Sequence, residues 1–586
     1  LKPFLYIALL LLFHLTATAQ QYYIKGEIKD EWGQPLQNVS IVLHSTGYKY
    51  YSGTTGSFGI VTRQRIDTLT FTHNGYHKQV VPAQGQFVQV VLKKMPSAKA
   101  GREFALASFT KDLKRETQRQ WFAGDETYAS LIENGFISAQ THPATDITLN
   151  VDRASYSNIR RFISTEAKVP PDAVRIEEML NYFNQGYTEP DSGKTFGIKA
   201  ALTSSPWHKE SRLLFATINS KKVALDSLPP SHLVFLIDVS GSMDMPNRLP
   251  LLKSGFRGLV NNLRAKDSVS IVVYGGTTGV MLNATSGAEK EKIFKAIDSL
   301  SPGGSTPGES GVKLAYSVAR NHFIKGGNNR VILATDGDFN VGLRSEADLE
   351  ELIVTQRNSG IYLTCLGVGM GNYKDSKIQV LAQKGNGNFA YIDSYAEAEK
   401  VLLKEFTQTL YTVAEDVYLN VKFNPDYVKE YRVLGFDNKV GALKDTASVV
   451  EGGEVGSAYS MQVVFEVIPA IAKINDSLRR PAIFSLQYKL PNDTTRYTEL
   501  VEPVLRFQLL QQAPPYYRFA SAVMLFGSML RESPYVKDID WTQLLNLASG
   551  AINIEDKSQK EFLNLVQQAK IIYQKGKRIR FKSSER

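Results

Sequence analysis

Cysteine is nearly absent from this chain: one residue, Cys365, in 586. One thiol forms no internal disulfide, so stability has to come from apolar cores rather than covalent staples. Cys365 also lies in an apolar stretch, Ile361-Tyr362-Leu363-Thr364-Cys365-Leu366-Gly367-Val368, where a buried inert thiol is expected rather than a nucleophile. Histidine is sparse too: eight residues, scattered. There is no HExxH pair, GxSxG elbow, P-loop or GxGxxG fingerprint, which removes the commonest hydrolase, NTPase and dinucleotide-binding readings. After the first fifteen residues no apolar run reaches the roughly eighteen residues that a membrane-spanning helix needs.

What is present begins with an export signal. Lys2 supplies a positive charge, residues 4–15 an apolar stretch, and Ala17-Thr18-Ala19 a small-residue cleavage site, the pattern of a secretory signal peptide. The mature chain is therefore expected to start at Gln20, without a cysteine there to carry a lipid, and to have no transmembrane span. The expected location is the periplasm, outer membrane or cell surface of a Gram-negative bacterium. Net charge is +10, but residues 570–586 hold seven Lys/Arg against one acid. A solvated basic tail (576–586) explains that excess more simply than a nucleic-acid site.

The chemistry concentrates at one motif. The apolar run Leu233-Val234-Phe235-Leu236-Ile237 reads as a strand buried on both faces of a parallel sheet, and Asp238-Val239-Ser240-Gly241-Ser242 follows it. Open α/β sheets bind ligands at the carboxyl ends of their strands. Asp-x-Ser-x-Ser lets a tight loop aim three hard oxygens at one point, which suits Mg²⁺, Mn²⁺ or Ca²⁺ rather than Zn²⁺. A helix is expected from about Arg248 to Ala265. Downstream stand Gly303-Gly304-Ser305-Thr306-Pro307-Gly308 and a second apolar strand, Arg330-Val331-Ile332-Leu333-Ala334, ending in Thr335-Asp336-Gly337. The plainer alternative is that these residues only cap helices and close turns. Asp244, Glu309 and Asp338 lie nearby and read as solvated loop charges.

In that order, these motifs resemble a von Willebrand factor A domain carrying a metal-ion-dependent adhesion site. The resemblance implies that Asp238, Ser240, Ser242, Thr306 and Asp336 are the metal ligands, with one coordination position left for a partner's carboxylate. It extends over about residues 125–575, through "DITLNVDRASYSNIRRFI", "SPWHKESRLLFATI", "KGNGNFAYID" and "FNPDYVKEYRVLGF", and is similar to a bacterial von Willebrand A protein family with its own flanking regions. Near the N-terminus, "GEIKDEWGQPLQNVSIVL" and "TTGSFGI" resemble the carboxypeptidase regulatory-like domain, an immunoglobulin-like module without catalytic residues.

The expected architecture is multidomain α/β plus β. After the signal (1–19) come an Ig-like β-sandwich (22–94), a linker (95–124) and the family's N-terminal region (125–230), whose first stretches carry helical periodicity. A doubly wound, Rossmann-like A domain (231–411) follows, then a β-sandwich (412–515) and a helical region (516–575). Period-two alternation at Phe196, Ile198 and Ala200, and at Val417, Leu419, Val421 and Phe423, suggests one sandwich with the A domain inserted in it. Ser286…Glu289 and Ser558…Glu561 have capping-box spacing.

The function expected is exported, non-enzymatic, metal-dependent binding, with Mg²⁺ placed first and Mn²⁺ or Ca²⁺ as alternatives. The partner would be a protein offering an acidic side chain, or an acidic glycan; nucleic acid is not expected. The rivals are a metal-dependent hydrolase and an accessory subunit of an AAA ATPase complex, the latter disfavoured because export separates the chain from ATP.

Overall fold

The computed structural model describes residues 22–31, 33–73, 76–84, 87–93, 126, 128, 131–149, 152–183, 186–276, 278–304, 308–337, 346–369, 375–436, 453–470, 479–491 and 493–583. The chain divides into two compact units, residues 1–118 and 119–586. The signal segment, the linker, Thr306 and Asp338 lie outside the described residues.

The first unit is built from two sheets. Tyr22–Asp30 pairs antiparallel with Ser57–Thr62 and parallel with Phe87–Leu92. Ser40–Leu43 and Asp67–Thr72 pair at the centre of the second sheet, flanked by Lys49–Tyr51 and Gln79–Ala83. The alternating residues Ile24, Ile28, Val39, Ile41, Leu43, Leu69 and Phe71 point into one shared core. Gly26 is required here, because a Cβ would stand 2.0 Å from the Val88 carbonyl.

In the second unit the A-domain sheet has the order Gly279–Ser286, Ser268–Tyr274, Ser231–Asp238, Asn328–Thr335, Ile361–Val368, Phe389–Ile392. All pairs are parallel except the first. Helices cover both faces. Leu233, Phe235 and Ile237 enter one apolar core with Leu249–Asn261, while Val234 and Leu236 enter another with Gly308–Asn321. That two-sided burial is why the first strand reads as an unbroken apolar run. The chain enters and leaves the domain at the amino end of the sheet, where the Ser231 hydroxyl donates to the Tyr411 hydroxyl at 3.0 Å. The motif loops stand at the opposite, carboxyl edge.

The strands on either side of the A domain pair with each other. Arg212–Ser220 lies between Phe196–Ser204 and Ser460–Pro469. A facing sheet is built on Thr412–Phe423, which pairs with Ala482–Lys489. Leu214, Ala216, Leu419, Val421 and Phe465 share the core between the sheets. The outer face of the first sheet is covered as well: Leu213, Phe215 and Val464 pack on Ile176, Tyr517 and Met524. Helices Ala154–Ser164, Pro515–Leu530, Trp541–Ser549 and Lys557–Ser583 share a further core.

Several local expectations are corrected. Asp146–Thr148, the start of a stretch read as helical, belongs to the strand Ala144–Thr148, which pairs with Thr412–Phe423, and the helix starts only at Ala154. The helix after the Asp-x-Ser-x-Ser loop runs Leu249–Asn261 and ends before Ala265. Ser286 forms no capping box, because the helix begins only at Lys290 with Glu289 at its N-cap; the Ser286 hydroxyl accepts from the Ala288 amide and donates to the Ala265 carbonyl. The last helix is capped by Asp556, whose carboxylate accepts from the Ser558 and Gln559 amides, not by Ser558. That helix continues to Ser583, through most of the stretch read as a basic tail.

Candidate metal centre at the carboxyl edge of the A-domain sheet

Three chain crossings build the site. Strand Ser231–Asp238 ends between Ser268–Tyr274 and Asn328–Thr335, so Asp238 comes to the edge flanked by Tyr274 on one side and Thr335 on the other. Past the edge the backbones nearly touch. Val239 N–H donates to the Tyr274 carbonyl at 2.7 Å, Gly303 N–H to the Val239 carbonyl at 2.7 Å, and Gly241 N–H to the Gly304 carbonyl at 3.1 Å. A Cβ on Gly275, whose φ is +116°, would stand 2.2 Å from the Ser240 nitrogen, and one on Gly304 would stand 2.3 Å from the Gly276 Cα. Glycine at 275 lets that turn lie against the Asp-x-Ser-x-Ser loop, and glycine at 304 lets the Gly303-Gly304 loop lie against the Gly275-Gly276 turn.

Asp238 is 1% exposed and Asp336 2%. The Ser240 amide donates to Asp238 Oδ1 at 2.9 Å; the Tyr274 and Thr335 hydroxyls donate to Oδ2 at 3.1 and 3.2 Å. These bonds fix the carboxylate's orientation. Burial, reinforced by the Asp336 charge and opposed by the Ser240 hydrogen bond, pushes the Asp238 carboxyl up to about 6. Burial and the Asp238 charge hold the Tyr274 phenol well above its ordinary value, so it remains a donor. The Ser240 and Ser242 hydroxyl oxygens lie 3.0 Å apart on the open side. Arg248, at the start of the following helix, donates to Asp336 Oδ2 and to the Ser242 carbonyl, both at 2.6 Å.

The residues present fit a hard divalent cation. Adjacent corners of an octahedron with metal–oxygen bonds near 2.1 Å are separated by ~3.0 Å, the spacing of the two serine hydroxyls. A buried carboxylate raised by its own desolvation and by a second carboxylate is an environment that a cation relieves. Asp238, Ser240, Ser242 and Asp336 belong to this edge, and the Gly303-Gly304 backbone lies against it. Glu309 instead pairs with Lys313 at 2.6 Å, and Asp244 is exposed. His232 is fully buried beside Ser268 and far along the strand from the site. Burial also raises the Cys365 thiol, as expected for an inert one. Sequence reasoning missed Tyr274, Arg248 and the Gly275-Gly276 pair. The paired glycines closing a strand were the available signal for a close backbone approach.

Comparison with known proteins places this site in a family. Residues 232–408 match the von Willebrand factor type A domain, residues 123–215 the family described as von Willebrand factor, and residues 408–572 that described as Uncharacterized protein YfbK, C-terminal. Uncharacterized protein YfbK of Escherichia coli (strain K12) is 35% identical over 493 residues, covering 80% of this chain and 85% of that protein. Two solved structures are similar at a lower level. A von Willebrand factor type A protein from Catenulispora acidiphila is 14% identical over 63% of this chain and 88% of that one, with a TM-score of 0.38. The ArnB paralog VWA2 from Sulfolobus acidocaldarius is 16% identical over 65% and 98%, with a TM-score of 0.34. With its type A domain, its matching C-terminal region and a relative aligned over most of both lengths, the chain belongs to the YfbK family of von Willebrand factor type A domain proteins.

Proposed function

We propose that this chain is an exported, metal-dependent binding protein of a Gram-negative cell envelope. Its A domain would grip an acidic group of a partner protein through one divalent ion, Mg²⁺ in the first instance. The observation that carries this reading is the convergence of Asp238, Asp336 and the serine hydroxyls 3.0 Å apart at the edge of the sheet. Asp238, Ser240, Ser242 and Asp336 would hold the ion, with Thr306 supplying the fifth protein oxygen. The ion would supply electrophilicity toward a partner's carboxylate, since only two protein carboxylates would face it and Arg248 already pairs with one of them.

The reading is binding rather than catalysis. The Ser240 and Ser242 hydroxyls lie together, Asp238 is oriented by Tyr274 and Thr335 and Asp336 by Arg248, and the A-domain histidines His232 and His322 pair with each other, ring centroids 5.5 Å apart, away from this edge. That arrangement orients oxygens toward an ion and does not prime a nucleophile. Among the described residues no helix is long and apolar enough to cross a membrane. Residues 22–94, proposed as a carboxypeptidase regulatory-like sandwich, would serve as a spacer or docking module.

The test is a pull-down of tagged full-length protein from envelope extracts with Mg²⁺ and again with EDTA, using wild type and D238A. The reading expects partners retained by the wild type in Mg²⁺ alone. The same partners in all four samples would overturn it.

A further inference from the structure

Arg248 touches three of the loops that form the metal edge. Its guanidinium binds the Ser242 carbonyl in the loop after the first strand and Asp336 after the fourth, both at 2.6 Å. Its stem lies on Gly369, after the strand Ile361–Val368: a Cβ there would come within 2.5 Å of Arg248 Nε. Gly369 has φ +81°, and its carbonyl accepts the buried Tyr391 hydroxyl. Arg248 itself is only 7% exposed. This fixed cation, enclosed on all these sides, is not a mobile surface charge that happened to find Asp336.

We propose that Arg248 is a specificity-determining residue of the metal site, setting how charge is divided between the ion and its anionic partner. The proposal rests on the metal-binding reading above. Among the described residues the Arg248 guanidinium pairs with Asp336 and offsets one of the two buried carboxylates at the edge, Asp238 and Asp336. A divalent ion bound there retains a net positive charge, and that charge attracts an acidic ligand. Without Arg248 the two carboxylates would hold the ion more tightly and neutralise it, and the pull on a further carboxylate would fall. Arg248 thus trades metal affinity for partner affinity. A guanidinium suits the role because it stays protonated and its planar fork spans two acceptors at once. Methionine keeps the apolar stem beside Gly369 and loses the charge together with the hydrogen bonds to the Ser242 carbonyl and Asp336, whereas lysine keeps the charge.

Mn²⁺ titration of the full chain, read by electron paramagnetic resonance as free ion remaining, tests this. Wild type, R248M, R248K and D238A are compared, with folding checked by circular dichroism. Changing one nearby unit charge moves the binding of another charge by about tenfold or more. The expected result is one Mn²⁺ per wild-type chain, bound about tenfold more tightly by R248M, with R248K closer to the wild type than to R248M. D238A should bind none. If R248M does not fold, R248Q, which keeps a donor toward Asp336, carries the same expectation. Equal or weaker Mn²⁺ binding by the neutral variants, with normal binding by the wild type, would overturn the charge role and leave Arg248 as a brace. Absence of binding by the wild type itself would instead overturn the metal reading and this proposal with it.

Discussion

The two ends of the A-domain sheet use the same residue types to opposite ends. At the carboxyl edge, two carboxylates and one guanidinium stand beside hydroxyls that are partly open to solvent. At the amino end, Arg330 is buried against Glu454 at 3.6 Å, its guanidinium donates to the Thr364 hydroxyl at 2.8 Å, and Glu454 accepts from Thr412. Along the flank, Arg160 joins Asp393 and Glu397 of the A domain to Glu561 of the C-terminal helix, at 2.5–2.7 Å. Polar groups whose partners all sit on packed elements hold those elements in register. The same groups at an open edge leave a direction from which a ligand can approach. Asp238 and Asp336 are as buried as Arg330 and Glu454, so what separates the site from the brace is the partly exposed Ser240 and Ser242 hydroxyls beside them.

The largest effect should come from breaking the flank. R160M leaves Asp393 and Glu397 buried beside fewer counter-charges, a situation that costs about 3–5 kcal/mol. Denaturant unfolding of the variant should show a loss of that size. A loss under about 1 kcal/mol would mean that the cluster behaves like a surface ion pair.

G275A comes next. The methyl group would stand 2.2 Å from the Ser240 nitrogen at φ +116°, so the loops must separate at a cost of about 2–3 kcal/mol. Here the two ends of the sheet diverge: stability falls and divalent binding falls with it, whereas R160M should leave the ion bound in the molecules that remain folded. Calorimetric titration with Mg²⁺ on both variants makes that distinction.

The amino end should reveal itself through pH. Burial pushes the Glu454 carboxyl from near 4.5 up to about 8, with Arg330 opposing and Glu415 reinforcing. The folded state therefore holds a proton that the unfolded state has released, and stability falls as pH rises through that window. E454Q cannot lose this stability. It should match the wild type near pH 5 and exceed it by on the order of 2 kcal/mol near pH 9. Parallel pH–stability curves for the two proteins would contradict the assignment.

The smallest change in stability is expected at the metal edge. D238A removes a carboxylate that burial and Asp336 both penalise in the absence of an ion, so unfolding free energy should shift by no more than about 1 kcal/mol while Mg²⁺ stabilisation disappears. A fall as large as that of R160M would show that the ion-binding residues are structural.

How far the sequence anticipates these regions depends on whether the relevant contacts are local. Leu233 to Ile237 and Val331 to Ala334 announce buried parallel strands because both faces are covered, and Asp238, Ser240 and Ser242 lie within five residues of one another. Arg248 could not be read the same way, since Asp336 is 88 residues distant. Ala144–Thr148 is too short for periodicity to tell strand from helix, and its strand partner lies more than 250 residues later. Ser286 and Ser558 have the spacing of caps, but the helices begin elsewhere, with Glu289 and Asp556 at their N-caps. Arg160, Asp393, Glu397 and Glu561 meet only after three separate elements have packed.

The most direct test of the central claim is a crystal structure of the full chain grown with Mn²⁺, with anomalous scattering used to locate the ion. The account predicts one strong peak bounded by Asp238, Ser240, Ser242 and Thr306, with Asp336 beside it and metal–oxygen distances of about 2.1 Å. No peak at this edge under saturating Mn²⁺, or a Thr306 hydroxyl more than about 8 Å from the Asp238 carboxylate, would contradict it.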